Sequence, residues 1–335
     1  MVRARVTIRD VAAQAGVSRQ TISRVINGSK MVNPETSARV QAVIAELGYQ
    51  PHAIARSMAR GRTQTLACIA PNLLDYTFAS VINGAEAAVR ARGYFLMSTS
   101  APDVETFASL VADLTGGGYV DGLLVINPFA DDRHRYLPTN TPTVLIGARP
   151  RAEAADSVAL DDVAAGRMAT EHLLALGHRA IAMVTGPHVE DCTQDRLAGY
   201  RMALEAAGLP LLPDLIVEGD WSPQSGYDRL RTLFSRQQSF TALFAQNDLM
   251  AIGALRAAHD CVRKVPGELS VISVDDIPLA AHVEPPLTTI RQDFAALGRE
   301  AVRLLFDVMA DASKQAEHVR QRPELVMRAS TGRLS

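Results

Sequence analysis

The chain has 335 residues, 47% of them hydrophobic and 21% charged, enough apolar material to bury a large core as two or three packed units. No apolar run approaches the roughly 18 residues that a membrane-spanning helix needs, and the cationic start with Arg3, Arg5 and Arg9 has no apolar stretch behind it to make a secretory signal, so a cytoplasmic protein without a membrane partner is expected. Three widely separated cysteines, Cys68, Cys192 and Cys261, exclude a disulfide framework and a paired-thiolate zinc site.

The net charge of −2 conceals a division. Residues 1–62 hold ten Lys or Arg against three acids, Asp10, Glu35 and Glu46, for a net +7, whereas the other 273 residues hold 24 against 33, for −9. A cationic head on an acidic body suits nucleic-acid binding, because each phosphate neutralised by Lys or Arg releases a condensed counterion. A solvated basic surface would give the same count, so the local pattern must decide.

In chain order, Thr7-Ile8-Arg9-Asp10 has the form of a capping box, Val11, Ala12 and Ala15 supply an inner face, and Gly16 ends a first helix of about two turns. Ser18 can cap a second helix running to Ile26 and stopping at Asn27-Gly28. Helices joined this tightly form a helix-turn-helix. On the second helix Ile22, Val25 and Ile26 share one face, while Arg19, Gln20, Ser23 and Arg24 project from the other. Arg and Gln read guanine and adenine edges bidentately in the major groove, and the first residues of a recognition helix are those that reach bases, so Arg19, Gln20 and Arg24 are the candidate base readers. A third helix is predicted after Asn33 as cap and Pro34 at the first position, with Val40, Val43, Ile44 and Leu47 buried before Gly48. Residues 50–61 are Ala-rich and too short for a helix stable alone in water; they read either as a plain linker or as a hinge that folds only with a partner helix and DNA.

The run from Thr7 through Val11-Ala12 to Gly16-Val17-Ser18, then Thr21-Ile22-Ser23-Arg24-Val25-Ile26-Asn27, Gly48-Tyr49-x-Pro51 and Ala55-Arg56-Ser57-Met58-Ala59, resembles the lac repressor family of bacterial transcription regulators. The match continues to Pro323-Glu324-Leu325-Val326-x-Arg328-x-Ser330-Thr331 and so spans nearly the whole chain. The resemblance implies DNA contacts from Thr7, Ser18, Arg19, Gln20, Ser23, Arg24 and Asn27. It also implies paired hinge helices in the minor groove that wedge a side chain into the central base step, the position of Met58. The family more often has Leu at that position and Asn after the hinge proline, where this chain has Met58 and His52.

From residue 65 short β-rich runs alternate with helical patterns: 65–70, 95–99, 122–126 and 143–146, then 180–185, 215–218, 242–245 and 269–274. Such alternation implies parallel sheets wound on both sides, here two Rossmann-like halves of four or so strands each, with Asp161-Asp162 between them. A ligand would sit in the cleft between halves, at the carboxyl ends of strands. The expected fold is therefore a small all-α helix-turn-helix head on an α/β body, and the resemblance makes that body two parallel-sheet subdomains of the periplasmic-binding-protein type with crossovers, the last near residues 289–294. Residues 1–49 are expected to form the head, 50–61 the hinge helix and 62–335 the core. Within that core the N-subdomain is 62–161 plus about 292–322, and the C-subdomain about 162–290 plus 323–332.

Trp221, the sole Trp, follows a predicted strand; its ring either lies against the apolar face of a sugar or packs in the core. Of Asn247-Asp248, opening a helix, Asp248 is expected to cap and Asn247 to face the cleft. One of Asp275 and Asp276 either accepts two polyol hydroxyls or closes an Asx turn. Pattern alone makes Arg196 an exposed helix arginine. The resemblance instead places effector contacts at Phe78, Asn127, Arg196, Trp221, Asn247, Asp275 and Phe294, with Arg151 near another. The family's usual Asn-Pro-aromatic-Phe turn stands here as Asp75-Tyr76-Thr77-Phe78.

No Gly-x-Ser-x-Gly elbow, phosphate-binding Gly-Lys-Ser/Thr loop or His-Glu-x-x-His motif is present, Gly116-Gly117-Gly118 lacks the rest of a dinucleotide motif, and His172 and His178 do not share a helical face for a metal. The reading is a transcription regulator, expected to repress, that binds a palindromic operator as a homodimer under control of a small sugar or sugar acid, with no cofactor and no catalysis. A family regulator controlled by a phosphoprotein partner, and more remotely a ligand-processing enzyme, are the competing readings. Residues 328–333 carry no leucine heptad of the kind that makes some relatives tetrameric.

Overall fold

The computed structural model describes residues 6–26, 29, 31–49, 62–129, 131–147, 155–236 and 239–334. Asn27, Met58 with the whole of the 50–61 hinge, and Arg151 lie outside the described residues. The chain divides into two compact units, Met1–Gln64 and Thr65–Ser335.

In the first unit α1 (Ile8–Ala15), α2 (Arg19–Ile26) and α3 (Pro34–Leu47) enclose a core of Val11, Ala12, Ala15, Ile22, Val25, Val40 and Val43. Each start is set locally. The backbone N–H and hydroxyl of Thr7 both donate to Asp10 over 2.8 Å, the Ser18 hydroxyl accepts from the Thr21 N–H over 3.2 Å, and Asn33 accepts from the Glu35 N–H over 2.9 Å. Gly16, at φ 65°, ends α1 in the left-handed region that a side chain disfavours.

The second unit contains two six-stranded sheets. Its elements run β1 (Thr65–Ala70), α4 (Tyr76–Arg90), β2 (Phe95–Ser100), α5 (Val104–Gly116), β3 (Gly122–Ile126), β4 (Thr143–Ile146) and β5 (Asp156–Leu160). They continue with α6 (Asp162–Ala175), β6 (Ile181–Thr185), α7 (Asp191–Ala206), β7 (Ile216–Glu218), α8 (Pro223–Ser235), β8 (Ala242–Ala245), α9 (Asp248–Asp260) and β9 (Ser270–Asp275). The last are β10 (Thr288–Arg291), α10 (Phe294–Ala310), β11 (His318–Gln321) and β12 (Glu324–Val326). The first sheet has the order β11-β5-β4-β3-β1-β2, parallel throughout; the second is β12-β10-β9-β8-β6-β7, parallel except for the antiparallel β10–β12 pair.

Six strands per sheet replace the four or so expected from the sequence. The unforeseen ones are β5, β10, β11 and β12, all short, and β11 pairs with a strand, β5, that is distant in sequence. The chain crosses between sheets at 160–162, again at 291–294, and finally at 321–324 between β11 and β12, so the last crossing lies well beyond residues 289–294.

Central strands are buried on both faces, as parallel sheets require. In β1, Leu66, Cys68 and Ala70 face the core under α4 and α10, while Ala67 and Ile69 face the core under α5. The covering helices pair through reciprocal glycines: a Cβ at Gly84 would overlap the backbone of Ala295 and one at Gly298 that of Val81, joining α4 to α10. Gly166 against Arg196 and Gly199 against Val163 join α6 to α7 in the same way, and Gly226 against Met250 and Gly253 against Pro223 join α8 to α9. Helix axes can approach this closely only where both surfaces lack side chains.

Gly166→Ala should therefore force α6 away from α7 at the Arg196 carbonyl and destabilise the body by about 1 to 3 kcal/mol, the usual cost of overpacking. Urea titration of the variant against the parent chain measures it.

Candidate functional site

On the head, α2 buries Ile22 and Val25 and leaves Ser18, Arg19, Gln20 and Arg24 exposed, with Ser23 half-buried. Thr7, at the start of α1, is also exposed. The polar face of α2 thus carries both base-reading residue types at and near its N-terminus, the end that enters the major groove in helix-turn-helix proteins.

In the body a cleft of about 180 Å³ opens where strands of both sheets end. Every wall follows from that topology: Asp75 and Phe78 come after β1, Phe129 after β3, Asp162 after β5, Glu190, Cys192 and Arg196 after β6, Trp221 after β7, Asn247 after β8 and Asp275 at the end of β9, with Phe294 starting α10. Four aromatic rings, Phe78, Phe129, Trp221 and Phe294, share the lining with four carboxylates and one guanidinium.

Arg196 is 5% exposed and heavily bonded. It donates through Nε to Asp162 over 2.8 Å, through one terminal nitrogen to the Gln246 carbonyl, and through the other to Gln292 Oε1 over 3.1 Å. Gln292 in turn donates to Asp162 over 3.0 Å. Asp275 lies 3.8 Å from Arg196, an ion pair without a hydrogen bond. Burial pushes the Asp275 carboxyl well above the usual carboxylate range, and the nearby Arg196 only partly offsets this. Burial also raises Glu190, against the bond from Trp221 and the charge of Arg196. Trp221 sits at φ 70°, Asp275 at 122° and Asp276 at 58°, so strained backbone gathers at these walls.

Residues 7–52 match the model for bacterial regulatory proteins of the lacI family, and residues 170–331 match that for a periplasmic binding protein-like domain. The transcriptional regulator CelR of Thermobifida fusca is 35% identical over 98% of this chain and 99% of its own. The chain belongs to the lacI family of bacterial regulatory proteins. Among solved structures, a CelR–cellobiose complex matches with a TM-score of 0.75 at 34% identity, covering 97% of this chain and 100% of that one. A lac repressor dimer bound to operator and the anti-inducer ONPF matches at 0.90 and 29% identity, covering 98% and 100%.

Of the effector positions that the lacI-family resemblance implied, Phe78, Arg196, Trp221, Asn247, Asp275 and Phe294 all line the cleft. Asn127 does not; it is buried, and its Oδ1 accepts the Phe129 N–H over 3.1 Å, shaping the loop that carries Phe129. The expectation that Asp248 caps α9 is corrected. Asn247 is the cap, accepting from the Met250 N–H over 2.8 Å while its amide donates to the Trp221 carbonyl over 3.1 Å. Asp248 is fully buried one residue further on, where it accepts from Ser273 over 2.5 Å, Thr289 over 2.6 Å and the Ile277 N–H over 2.7 Å. Asp276 turns from the cleft to Arg328 and Arg291 over 2.6 and 2.7 Å.

Sequence reasoning missed Asp75, Phe129, Asp162, Glu190 and Cys192 as lining residues. Asp75 alone left a signal, in its departure from the family's turn. It caps α4, accepting from the Thr77 N–H over 2.8 Å, which aims Phe78 into the cleft.

Burial raises the Asp248 carboxyl to about 6, against the hydroxyls of Ser273 and Thr289. The native state then keeps a proton that the unfolded chain releases near 4. Stability contributed by this group is complete below that value and is lost as pH rises to about 6, some 3 kcal/mol in all, to order of magnitude. In Asp248→Asn the group cannot ionise, and urea titrations at pH 4, 5 and 6 should show a flatter profile than the parent's.

Proposed function

We propose that this lacI-family regulator is a repressor whose two heads, related by a dimer two-fold, read a palindromic operator, and whose cleft takes a small neutral saccharide. The observation that carries the ligand class is the pairing of aromatic rings with carboxylates in one lining. A sugar presents an apolar C–H face and a rim of hydroxyl donors; rings take the first and carboxylates the second. Among the described lining residues Arg196 is the one cation, and it is already committed to Asp162 and Gln292, which favours a neutral sugar over the sugar acid left open by the sequence. The related CelR was solved with cellobiose, which makes that disaccharide the first probe.

The reading includes binding without turnover. Cys192, a thiol in this wall, is pushed well above its ordinary pKa by burial, which disfavours its nucleophilic thiolate form. Titration calorimetry of the full chain with cellobiose and with single hexoses and pentoses tests the class. Recovery of unchanged sugar tests the absence of chemistry.

In this reading Arg19, Gln20 and Arg24 contact bases, flanked by Thr7, Ser18, Ser23 and Asn27, and Met58 wedges the central step. Arg24→Ala should weaken specific binding by about 1 to 3 kcal/mol and leave nonspecific binding nearly unchanged in gel retardation at fixed salt. Equal losses on both DNAs would refute base reading by Arg24. Ligand and operator affinities should also be linked, each altering the other by the same factor, on the order of 5- to 150-fold. Calorimetry with and without operator duplex reads that factor.

A further inference from the structure

Backbone from the two halves of the body meets across one side of the cleft, and Glu190 stands at the meeting. Phe129 and Glu190 form an antiparallel bridge, and the Asp191 N–H donates to the Pro128 carbonyl over 2.8 Å. This contact bypasses all three crossing segments. Its Phe129 side is braced by Arg133, which is 4% exposed. Arg133 donates to Asp131 over 2.8 Å and to the carbonyls of Ala101 and Pro102 over 2.9 and 3.1 Å, and its guanidinium carbon lies 4.5 Å from the Phe129 ring centroid.

On the other side one residue serves both the bridge and the cleft. Glu190 is the residue before α7, a position where a side chain commonly caps the helix, yet it makes no capping bond. Its carboxylate turns inward and accepts the indole N–H of Trp221 over 3.0 Å. Below the indole, Gly186 leaves no room for a Cβ, and Asn247 holds the Trp221 carbonyl over 3.1 Å. The orientation of the ring is thus fixed at its polar edge by Glu190.

We propose that Glu190 is a positioning residue of the effector cleft: its side chain sets the face of Trp221 against which a ligand stacks, and its backbone latches the two halves together. The inference rests on the cleft being the effector site. It makes the stacking surface and the closed cleft one event, since the same residue supplies both, and a ligand gripping Trp221 thereby favours the latched state.

Trp221 is the only Trp in the chain, so its emission reports on this contact directly in the full-length protein. Glu190→Ala should shift that emission to longer wavelength and increase its quenching by acrylamide, and should weaken cellobiose binding about tenfold, the equivalent of one hydrogen bond. Glu190→Gln keeps an oxygen acceptor for the indole and should restore both. The latch is tested at Asp191, the first residue of α7, where Pro is tolerated and where the extended backbone of Glu190, φ −102° and ψ 138°, accommodates a following Pro. Asp191→Pro deletes the N–H given to Pro128, and its Trp221 should be more quenchable than that of the Asp191→Ala control.

Parental emission in Glu190→Ala overturns the positioning role, as does failure of Glu190→Gln to rescue. Identical quenching of Asp191→Pro and Asp191→Ala overturns the latch. If the parent chain binds no saccharide, the ligand class proposed above fails, while the emission measurements still decide the role of Glu190.

Discussion

The guanidinium of Arg196 lies almost without exposure at the point where two of the three crossing segments reach the C-terminal sheet. Asp162 begins α6 directly after the first crossing and Gln292 belongs to the second, and Arg196 binds both while also holding the carbonyl that follows β8. Taking such a charge out of water is costly, and removing one partner of a buried pair typically loses about 3 to 5 kcal/mol. The cost is offset here because each of its three nitrogens meets an acceptor. The same side chain lines the cleft and lies near the Trp221 ring, its carbon 5.8 Å from the centroid, so the shape of the cleft wall and the anchoring of the crossings depend on one residue.

This arrangement constrains how the body can respond. The crossing residues at 162 and 292 are fastened to the C-terminal half, and the helix pairs are seated on reciprocal glycines without slack. Packed elements of this kind move as rigid bodies between discrete states rather than deforming gradually. Any opening or closing of the cleft would thus be left to the crossings themselves and to the bridge between Phe129 and Glu190.

How much was legible in the sequence follows the range of the forces involved. The head was readable almost to the residue, because its caps, its turn at Gly16 and the stripe of Ile22 and Val25 are settled by neighbours a few positions away. Strands β1, β3, β4 and β8 were equally plain as apolar runs. Strand β11 was not, since His318-Val319-Arg320-Gln321 is polar and becomes a strand only by pairing with β5. Burial of Arg196 was invisible to helical periodicity, because its partners Asp162 and Gln292 lie 34 and 96 residues away. The exchanged roles of Asn247 and Asp248 have the same origin. Both types cap equally well, and it is the hydroxyls of Ser273 and Thr289 that draw Asp248 inward. Glu190 and Phe129 left no local signal because their importance comes from meeting each other.

The interleaved path of the chain bears on how the protein is made. The N-terminal sheet takes its outer strand, β11, and one covering helix, α10, from residues that follow the whole of the C-terminal sheet's first five strands. Helix α4 offers Val81, Ala85 and Val89 to that helix. During synthesis, which delivers domains in order from the amino end, these residues emerge long before their cover does. The half that leaves the ribosome first stays unsealed until α10 and β11 follow, and a chain stalled or cleaved before residue 294 would present an open apolar face for chaperones or for its own neighbours to occupy.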